Sequence, residues 1–556
     1  MTRVPDRGVT SRRAFVERGA ASLLALAGAP ALLIRQQGQH DLVIRNGVVF
    51  DGSGATGIEG DVAISAGRIA AIGKRLAQKG QDEIDARGLA VAPGFIDIHS
   101  HGDGSLWEDP RVESLVRQGI TTIVVGQDGS SRSPTEEGRG GRGSDSFASF
   151  DELFAAIDRL KPSVNVASMI GAGTLRGLAV GNTDRRATED ELRRMVAMVE
   201  SALSHGACGV SSGLEYTPGA FAPLEELIAL CRPLAARRLP YATHMRNEDD
   251  RLLDSIDESI AVARGAKCPL QISHLKTQGP RNWGKLDQVF ARVASARGDG
   301  IDVAFDRYPY LAYQTGLTNL FPVWSRDGGT DAFLKRLDDP SVSPRIKSET
   351  LAKVELIGGW ENVMVASVRD SADRMVEGKR LGAYAKSLGG DPYDVSVALL
   401  KGSRGNVGMV GFAMSEANLE RILAHPQGMV CSDGGAFAIE GPTRRGSPHP
   451  RGLGTFPRVL ARYVRDRKAL TLEQAVNKMS ALPASRVHLK DRGRLAVGQA
   501  ADVAVFDPAR VEDRATYEQP FQYPVGITAV VVNGAVALRD GERQGGGNGR
   551  ALRADK

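Results

Sequence analysis

Pro93-Gly94-Phe95-Ile96-Asp97-Ile98-His99-Ser100-His101 is the stretch on which the fold turns. It reads as a short apolar strand ending in two histidines two positions apart. Side chains at i and i+2 of a strand point to the same side, so the two imidazoles converge on one point. Converging neutral imidazoles are half of a metal site. The plainer reading, two ordinary strand histidines, is tested by whether compatible partners recur downstream in matching contexts.

Downstream of His101 the chain alternates short apolar segments with amphipathic ones. Strands are expected at 94–101, 121–127, 164–170, 207–215, 239–244, 269–274, 301–305 and 428–432. Helices at 151–160, 190–205, 224–237 and 252–264 fall between them. Eight strands with helical crossovers argue for an α/β fold closed into a parallel TIM-like (β/α)8 barrel, whose active site lies at the C-terminal strand ends. Four of the nine histidines occupy such ends: His99 and His101 on strand one, His244 on strand five and His274 on strand six. Asp433 closes strand eight. Four imidazoles and a carboxylate at one mouth suit zinc or a similar divalent ion, with room for water. For the single histidines the plain alternative is core packing, and for Asp433 it is a turn or helix cap. His40, His205, His425, His449 and His488 fall on helices or loops and read as ordinary.

Both ends of the chain outside the barrel read as strands. Residues 41–52 suggest two strands around Asn46-Gly47, and 61–64 and 68–72 continue the pattern across Ala66-Gly67. Residues 498–507 and 529–534 echo it with Asn533-Gly534. A small β-domain built from 40–93 plus 484–540 is expected beside a catalytic unit at 94–483. Residues 541–556 read as a disordered tail.

Ser11-Arg12-Arg13-Ala14-Phe15 precedes an apolar run from Gly19 to Ile34, so residues 1–39 read as an export signal and leader of the twin-arginine type. That implies a partner, the twin-arginine machinery, and a periplasmic or otherwise exported location. The run is too short and too rich in Gly and Ala for a stable membrane span. Net charge is +5, but five arginines against two acids before residue 35 supply +3 of it. The remaining +2 indicates neither a nucleic-acid surface nor a polybasic membrane patch. Four cysteines without a CxxC pair argue against a zinc ribbon and a disulfide scaffold. Cys208 and Cys431 read as packed barrel residues.

The chain resembles the amidohydrolase superfamily and, within it, the D-aminoacylase (N-acyl-D-amino-acid deacylase) family. The resemblance rests on Gly94-Phe95-Ile96-Asp97-Ile98-His99-Ser100-His101, on 119–126, and on Ser211-Ser212-Gly213-Leu214-Glu215-Tyr216-Thr217-Pro218-Gly219. It continues in His244-Met245-Arg246-Asn247-Glu248, Ser273-His274-Leu275-Lys276, Tyr308-Pro309-Tyr310 and Ser432-Asp433-Gly434. It closes with His449-Pro450-Arg451 and Gly454-Thr455-Phe456-Pro457-Arg458. Such membership implies a flanking β-sandwich, an insertion after strand seven at about 311–410, and hydrolysis of a small-molecule amide bearing a carboxylate with one or two Zn2+ ions.

One departure stands out. Where the family often carries a cysteine ligand after strand two, this chain has Gly126-Gln127-Asp128-Gly129, putting a harder oxygen donor in that place. The superfamily also takes a bridging carboxylate or carbamylated lysine from strand four, where Glu215 stands. Asp128 and Glu215 are thus both candidate bridges, with Glu215 slightly favoured, and the metal count depends on the choice.

Asp433 is the expected general base and then general acid, serving both halves of the hydrolysis. For the substrate carboxylate, Lys276 two residues past His274 should share the mouth. Tyr308 and Tyr216 are further candidates by resemblance, and Arg246 and Arg444 weaker ones. The Gly138-Arg139-Gly140-Gly141-Arg142-Gly143 loop reads as a linker, with a basic lid as its alternative. Competing readings are a cyclic-amide hydrolase of the dihydroorotase or hydantoinase type, a dipeptidase, an exported pseudoenzyme that binds without turnover, and a structural surface protein. No strand-turn-helix context for a nucleotide cofactor is found.

Overall fold

The structure is a computed structural model that describes residues 39–134, 147–369 and 371–554. The expected export signal at 1–39, apart from residue 39, and the 138–143 loop lie outside the described residues. The chain opens with β1 (His40–Val49), β2 (Ile58–Ser65), β3 (Arg68–Gly73), β4 (Gly80–Asp85) and β5 (Ala90–Pro93). The expected Asn46-Gly47 hairpin is absent. β1 runs straight through these residues, with Asn46 at φ 60° and the register to β2 shifting between Ile44 and Gly47. Left-handed Asn-Gly chemistry serves a bulge there instead of a turn.

The barrel comes next, with β6 (Phe95–Asp97), β7 (Ile120–Val125), β8 (Asn165–Ser168), the short β9 (Ile170–Gly171), β10 (Val210–Gly213), β11 (Tyr241–His244), β12 (Leu270–Ile272) and β13 (Val303–Arg307). Every pair among them is parallel. An insertion then supplies β14 (Ala312–Gly316), β15 (Val363–Val368) and β16 (Val407–Phe412), a separate antiparallel sheet. β17 (Gly428–Val430) returns to the barrel beside β13. Its seam with β6 is closed by individual bonds: Ser432 N donates to Asp97 Oδ1 at 2.8 Å and Asp433 N to His99 O at 2.8 Å.

Most connecting helices start where capping chemistry sets them. Thr188 and Glu191 form a reciprocal capping box at Glu189–Ser204, and Ser149 caps Phe150–Leu160. The helix expected over 224–237 is α-helical only at Leu224–Cys231 and tightens to a 3-10 turn from Arg232, beside Pro233, which has no N–H to continue the ladder.

β18 (Val503–Phe506), β19 (Ile527–Val532), β20 (Ala535–Arg539) and β21 (Glu542–Arg543) pair back onto β5. Both termini thus build one nine-stranded sheet. Its own apolar core includes Leu42, Ile44, Val62, Ile64, Val503, Val505 and Val531. Asn533-Gly534 is a genuine hairpin turn here. The tail expected to be disordered is ordered through residue 554. Leu552 N donates to Val166 O and Val166 N to Arg550 O, and Ala551, Leu552 and Ala554 are buried. Arg550 and Leu552 satisfy the free backbone of β8, a role that composition alone does not reveal.

Candidate metal centre

A cavity of about 610 Å³ opens at the C-terminal end of the barrel strands, lined by His101, Asp128, His244, His274, Tyr308 and Asp433 among others. Three of the residues that converge there leave their strands with left-handed backbone: Asp128 at φ 52°, His274 at φ 37° and Asp433 at φ 48°. That conformation costs a non-glycine residue energy, and its recurrence three times in one mouth marks a constrained site. Asp128 is seated by close backbone contact. A Cβ on Gly213 would lie 2.1 Å from Asp128 O, so only glycine lets β10 approach the loop this closely.

Asp128 sits at the centre. Its carboxylate oxygens lie 3.3 Å from His101 Nε2, 3.5 Å from His99 Nε2, 3.5 Å from His274 Nε2 and 3.8 Å from His244 Nδ1. Asp433 Oδ1 faces the same point, 3.1 Å from His101 Nε2 and 3.5 Å from His99 Nε2. Single donor atoms of His99, Asp128, His274 and Asp433 all fall within 4.8 Å of one another. Among the described residues, both ring nitrogens of His99 and Oδ1 of Asp128 are buried without a hydrogen-bond partner. Orphaned buried polar atoms are costly, and a cation between His99 Nε2 and Asp128 Oδ1 removes the cost for those two.

The electrostatics agree. Burial disfavours the charged His101 imidazole, yet Asp128 and Asp433 pull its pKa up to about 10. Burial also acts to raise the pKa of Asp433, but Arg451 and the neighbouring imidazoles hold it well below the usual carboxylate range. A site this favourable to positive charge, built from nitrogen and oxygen donors, fits a divalent ion such as zinc. His99, His101, His244, His274, Asp128 and Asp433 are the side chains placed to hold it.

His244, Glu248 and His274 form a second group of close donor atoms. Its cation is already present: Lys276 Nζ donates to both Glu248 oxygens, at 2.7 and 2.6 Å, and lies 2.7 Å from His274 Nδ1. Lys276 therefore reaches the mouth as expected, but as the buried partner of Glu248.

The other candidates divide. Tyr308 lines the cavity with its hydroxyl buried and, among the described residues, unpartnered, and the guanidinium carbons of Arg307 and Arg451 lie 4.2 and 4.7 Å from its ring centroid. Tyr216 lines it too, its ring 4.7 Å from that of His244. Glu215, the favoured bridge, stands outside the central group, with Oε2 3.3 Å from His244 Nε2, the ring nitrogen turned away from Asp128. Glu215 lies two residues past the end of β10 at Gly213, where Asn319 and Lys353 draw its carboxylate to the outer side of His244. Arg246 turns away altogether, pairing with Glu258 and the carbonyls of Ala220 and Ala222. Alternation along β11 ends at His244, so its i+2 position carries no directional meaning. Arg444 lies over the Phe521 ring in a different cleft.

Sequence reasoning gave no role to Arg451, Glu248 or Asp306. The first two lie in segments that carry the family resemblance. Asp306 accepts from His274 N at 2.7 Å and lies 3.7 Å from His99 Nδ1, and its place on β13 was the available signal. His449, read as ordinary, is buried and braces Arg451: its Nδ1 accepts from Arg451 N, and its Nε2 donates to Ala312 O.

Residues 82–323 and 443–538 match a family model described as an amidohydrolase family. The N-acyl-D-glutamate deacylase of Alcaligenes xylosoxydans xylosoxydans is 38% identical over 509 residues, covering 90% of this chain and 94% of that protein. The D-aminoacylase of the same organism is 34% identical over 524 residues, covering 92% and 97%. A crystal structure of N-acyl-D-glutamate deacylase from Bordetella bronchiseptica, complexed with zinc and a phosphonate mimic of the tetrahedral intermediate, superposes with a TM-score of 0.79. The two are 35% identical, and the match spans 93% of this chain and all of the other.

Proposed function

The chain belongs to the amidohydrolase family, and from that premise we propose that it is a zinc-dependent deacylase that cleaves the amide bond of N-acyl-D-amino acids. The observation that carries the reading is the set of orphaned buried donors around Asp128, facing a cavity large enough for a small acylated amino acid. When bound, zinc supplies a Lewis acid for the amide carbonyl and brings water within reach of deprotonation at neutral pH.

The chain's own groups do the rest. Asp433 is the general base: Arg451 holds its Oδ2 at 2.6 Å and leaves Oδ1 facing the centre, where it takes a proton from the attacking water. The same carboxyl then gives that proton to the departing nitrogen. Tyr308, whose hydroxyl lacks a protein partner, and Arg451, whose Nε is likewise unpartnered, offer donors for the substrate carboxylate. Lys276 and Arg307 add positive charge behind them.

The deciding experiment is a panel of N-acyl-D- and N-acyl-L-amino acids, dipeptides, a hydantoin and dihydroorotate, assayed with and without chelator. Chelator-sensitive release of free D-amino acid is the expected result. Turnover confined to the ring substrates would replace this reading with a cyclic-amide hydrolase.

We also propose export by the twin-arginine route. Arg12-Arg13 ahead of the apolar run supports it, and among the described residues no helix is long and apolar enough to cross a membrane. Replacing both arginines by lysine should retain the protein in the cytoplasm on cell fractionation.

A further inference from the structure

Three of the central histidines share a pattern. Each turns one ring nitrogen toward Asp128 and the other toward a carboxylate outside the central group. His99 Nδ1 lies 3.7 Å from Asp306, His274 Nδ1 3.1 Å from Glu248, and His244 Nε2 3.3 Å from Glu215. A carboxylate behind a metal-facing imidazole fixes the ring's orientation and tautomer and strengthens its inward lone pair.

Glu215 differs from the other two in how it is held. Asp306 belongs to β13, and Glu248 lies in the turn after β11, paired with Lys276. The groups gripping Glu215 come from the insertion, which is otherwise a separate sheet-and-helix unit. Lys353, on the helix Ser343–Leu356, places Nζ 3.7 Å from Glu215 Oε1 and also bonds Asp249. Asn319 Nδ2 donates to Glu215 Oε2 at 3.5 Å. Arg326 donates to Glu215 O and to Asn319 Oδ1, both at 3.1 Å. Its guanidinium has no carboxylate of its own within bonding distance among the described residues, and its Nε is orphaned. Keeping a half-buried lysine and a buried arginine in one corner is expensive unless they hold something in place.

We propose that Glu215 is a positioning residue that orients His244, and that Lys353, Asn319 and Arg326 make the insertion a clamp on it, so that zinc retention depends on the insertion. The proposal rests on the reading of His244 as a metal-site histidine. Glu215 gives the imidazole Nε2–H an acceptor and leaves Nδ1 toward the centre. Lys353 faces the second carboxylate oxygen as an ion pair at 3.7 Å, which opposes an inward swing of the carboxyl. Loosening the clamp lets the His244 ring rotate, and the ion escapes faster.

The test measures zinc, not turnover. Zinc-loaded wild type, Glu215→Gln, Lys353→Met, the Glu215→Gln/Lys353→Met double variant and Asp128→Asn are mixed with a chromogenic chelator, and the rate and amount of zinc transferred are followed. Thermal melts on the same samples identify any variant that fails to fold. Wild-type stoichiometry is expected for both single variants, with loss about tenfold faster or more. The double variant should be no faster than the quicker single, since both act through one contact. Lys353→Arg, which keeps the charge, should recover most of the retention, and this decides the case if Lys353→Met does not fold. Wild-type release rates in Glu215→Gln and Lys353→Met would overturn the clamp. So would loss of a full zinc equivalent in Glu215→Gln, which would make Glu215 a ligand. Full, slowly released zinc in Asp128→Asn would instead remove the underlying reading of the centre.

Discussion

The guanidinium of Arg451 donates a 2.6 Å hydrogen bond to Oδ2 of Asp433, and both groups are almost completely buried. A lone carboxylate at that depth would be driven toward its neutral acid. The guanidinium reverses this, so Asp433 enters the reaction ionised and with one oxygen already committed. Only the other oxygen, the one facing His99 and His101, is free to exchange a proton.

Asp433→Asn keeps the shape and a hydrogen-bond acceptor for Arg451 but removes the proton acceptor. Turnover should fall about 10²- to 10⁴-fold, the usual range for losing a general acid–base group, while the zinc content stays within a small fraction of wild type. Steady-state kinetics alongside elemental analysis check it. Near-normal turnover would take the proton-transfer role away from Asp433.

Asp128 stands where the family resemblance leads one to expect a thiolate, and four histidines face its carboxylate. Asp128→Asn should lower bound zinc by about one equivalent. Asp128→Cys should restore it and, with cobalt in place of zinc, add a sulfur-to-metal charge-transfer band in the near ultraviolet that the wild type lacks. A wild-type spectrum in Asp128→Cys would mean that position 128 does not touch the ion.

The outcome at position 128 bears on what was legible in the sequence. His99, His101, His244, His274 and Asp433 were readable because each lies at, or two to four residues past, the C-terminal end of a barrel strand, and those ends share one mouth in a parallel barrel. Glu215, Arg246 and Arg444 follow strand ends too, but their directions are set by partners that no local pattern shows: Lys353 and Asn319 for Glu215, Glu258 for Arg246 and the Phe521 ring for Arg444. Asp128 lies in a turn as well; the family resemblance singled it out, and the close approach of Gly213 accounts for its inward seat. Lys353 could not be found at all: it sits on an insertion helix, more than a hundred residues from the carboxylates it serves. In the flanking sheet, one Asn-Gly pair makes a bulge and the other a turn, since local chemistry permits both and pairing with neighbouring strands selects.

Lys478 gives a pH dependence away from the active centre. It is buried at the foot of β17, donating to the carbonyls of His425 and Gly428, and burial brings its pKa down to about 8. Between that value and the ordinary 10.5 the unfolded chain carries the proton and the folded one does not. Stability owed to this group therefore rises with pH across that window and is lowest below about 8. Compared with Lys478→Met, the wild type should gain on the order of 3 kcal/mol between pH 7.5 and 10.5, read from urea melts of both proteins. A constant difference between the two would show that the ammonium keeps its proton throughout.

Residues 541–554 supply the last prediction. Ala551 N donates to Asp158 Oδ1, Leu552 N to Val166 O and Ala554 N to Gly206 O, while Arg550 O accepts from Val166 N. Asn548 O accepts from Asn533 Nδ2, which also donates to Asn165 Oδ1, tying the tail to the junction between the barrel and the flanking sheet. All of this lies at the N-terminal end of β8, opposite the metal centre. Ending the chain at residue 545 strips both partners from Val166 and uncovers the apolar surface under Leu552. Each buried backbone group left unpaired costs about 1–3 kcal/mol. The melting temperature should therefore fall by about 5 °C or more. Because the loss is confined to the far end of the barrel, kcat/KM of the zinc-loaded enzyme at 25 °C should stay within about twofold of wild type. An unchanged melting temperature would show that the tail contributes nothing to the folded state. A large drop in kcat/KM with the fold intact would mean that the two ends of the barrel are coupled.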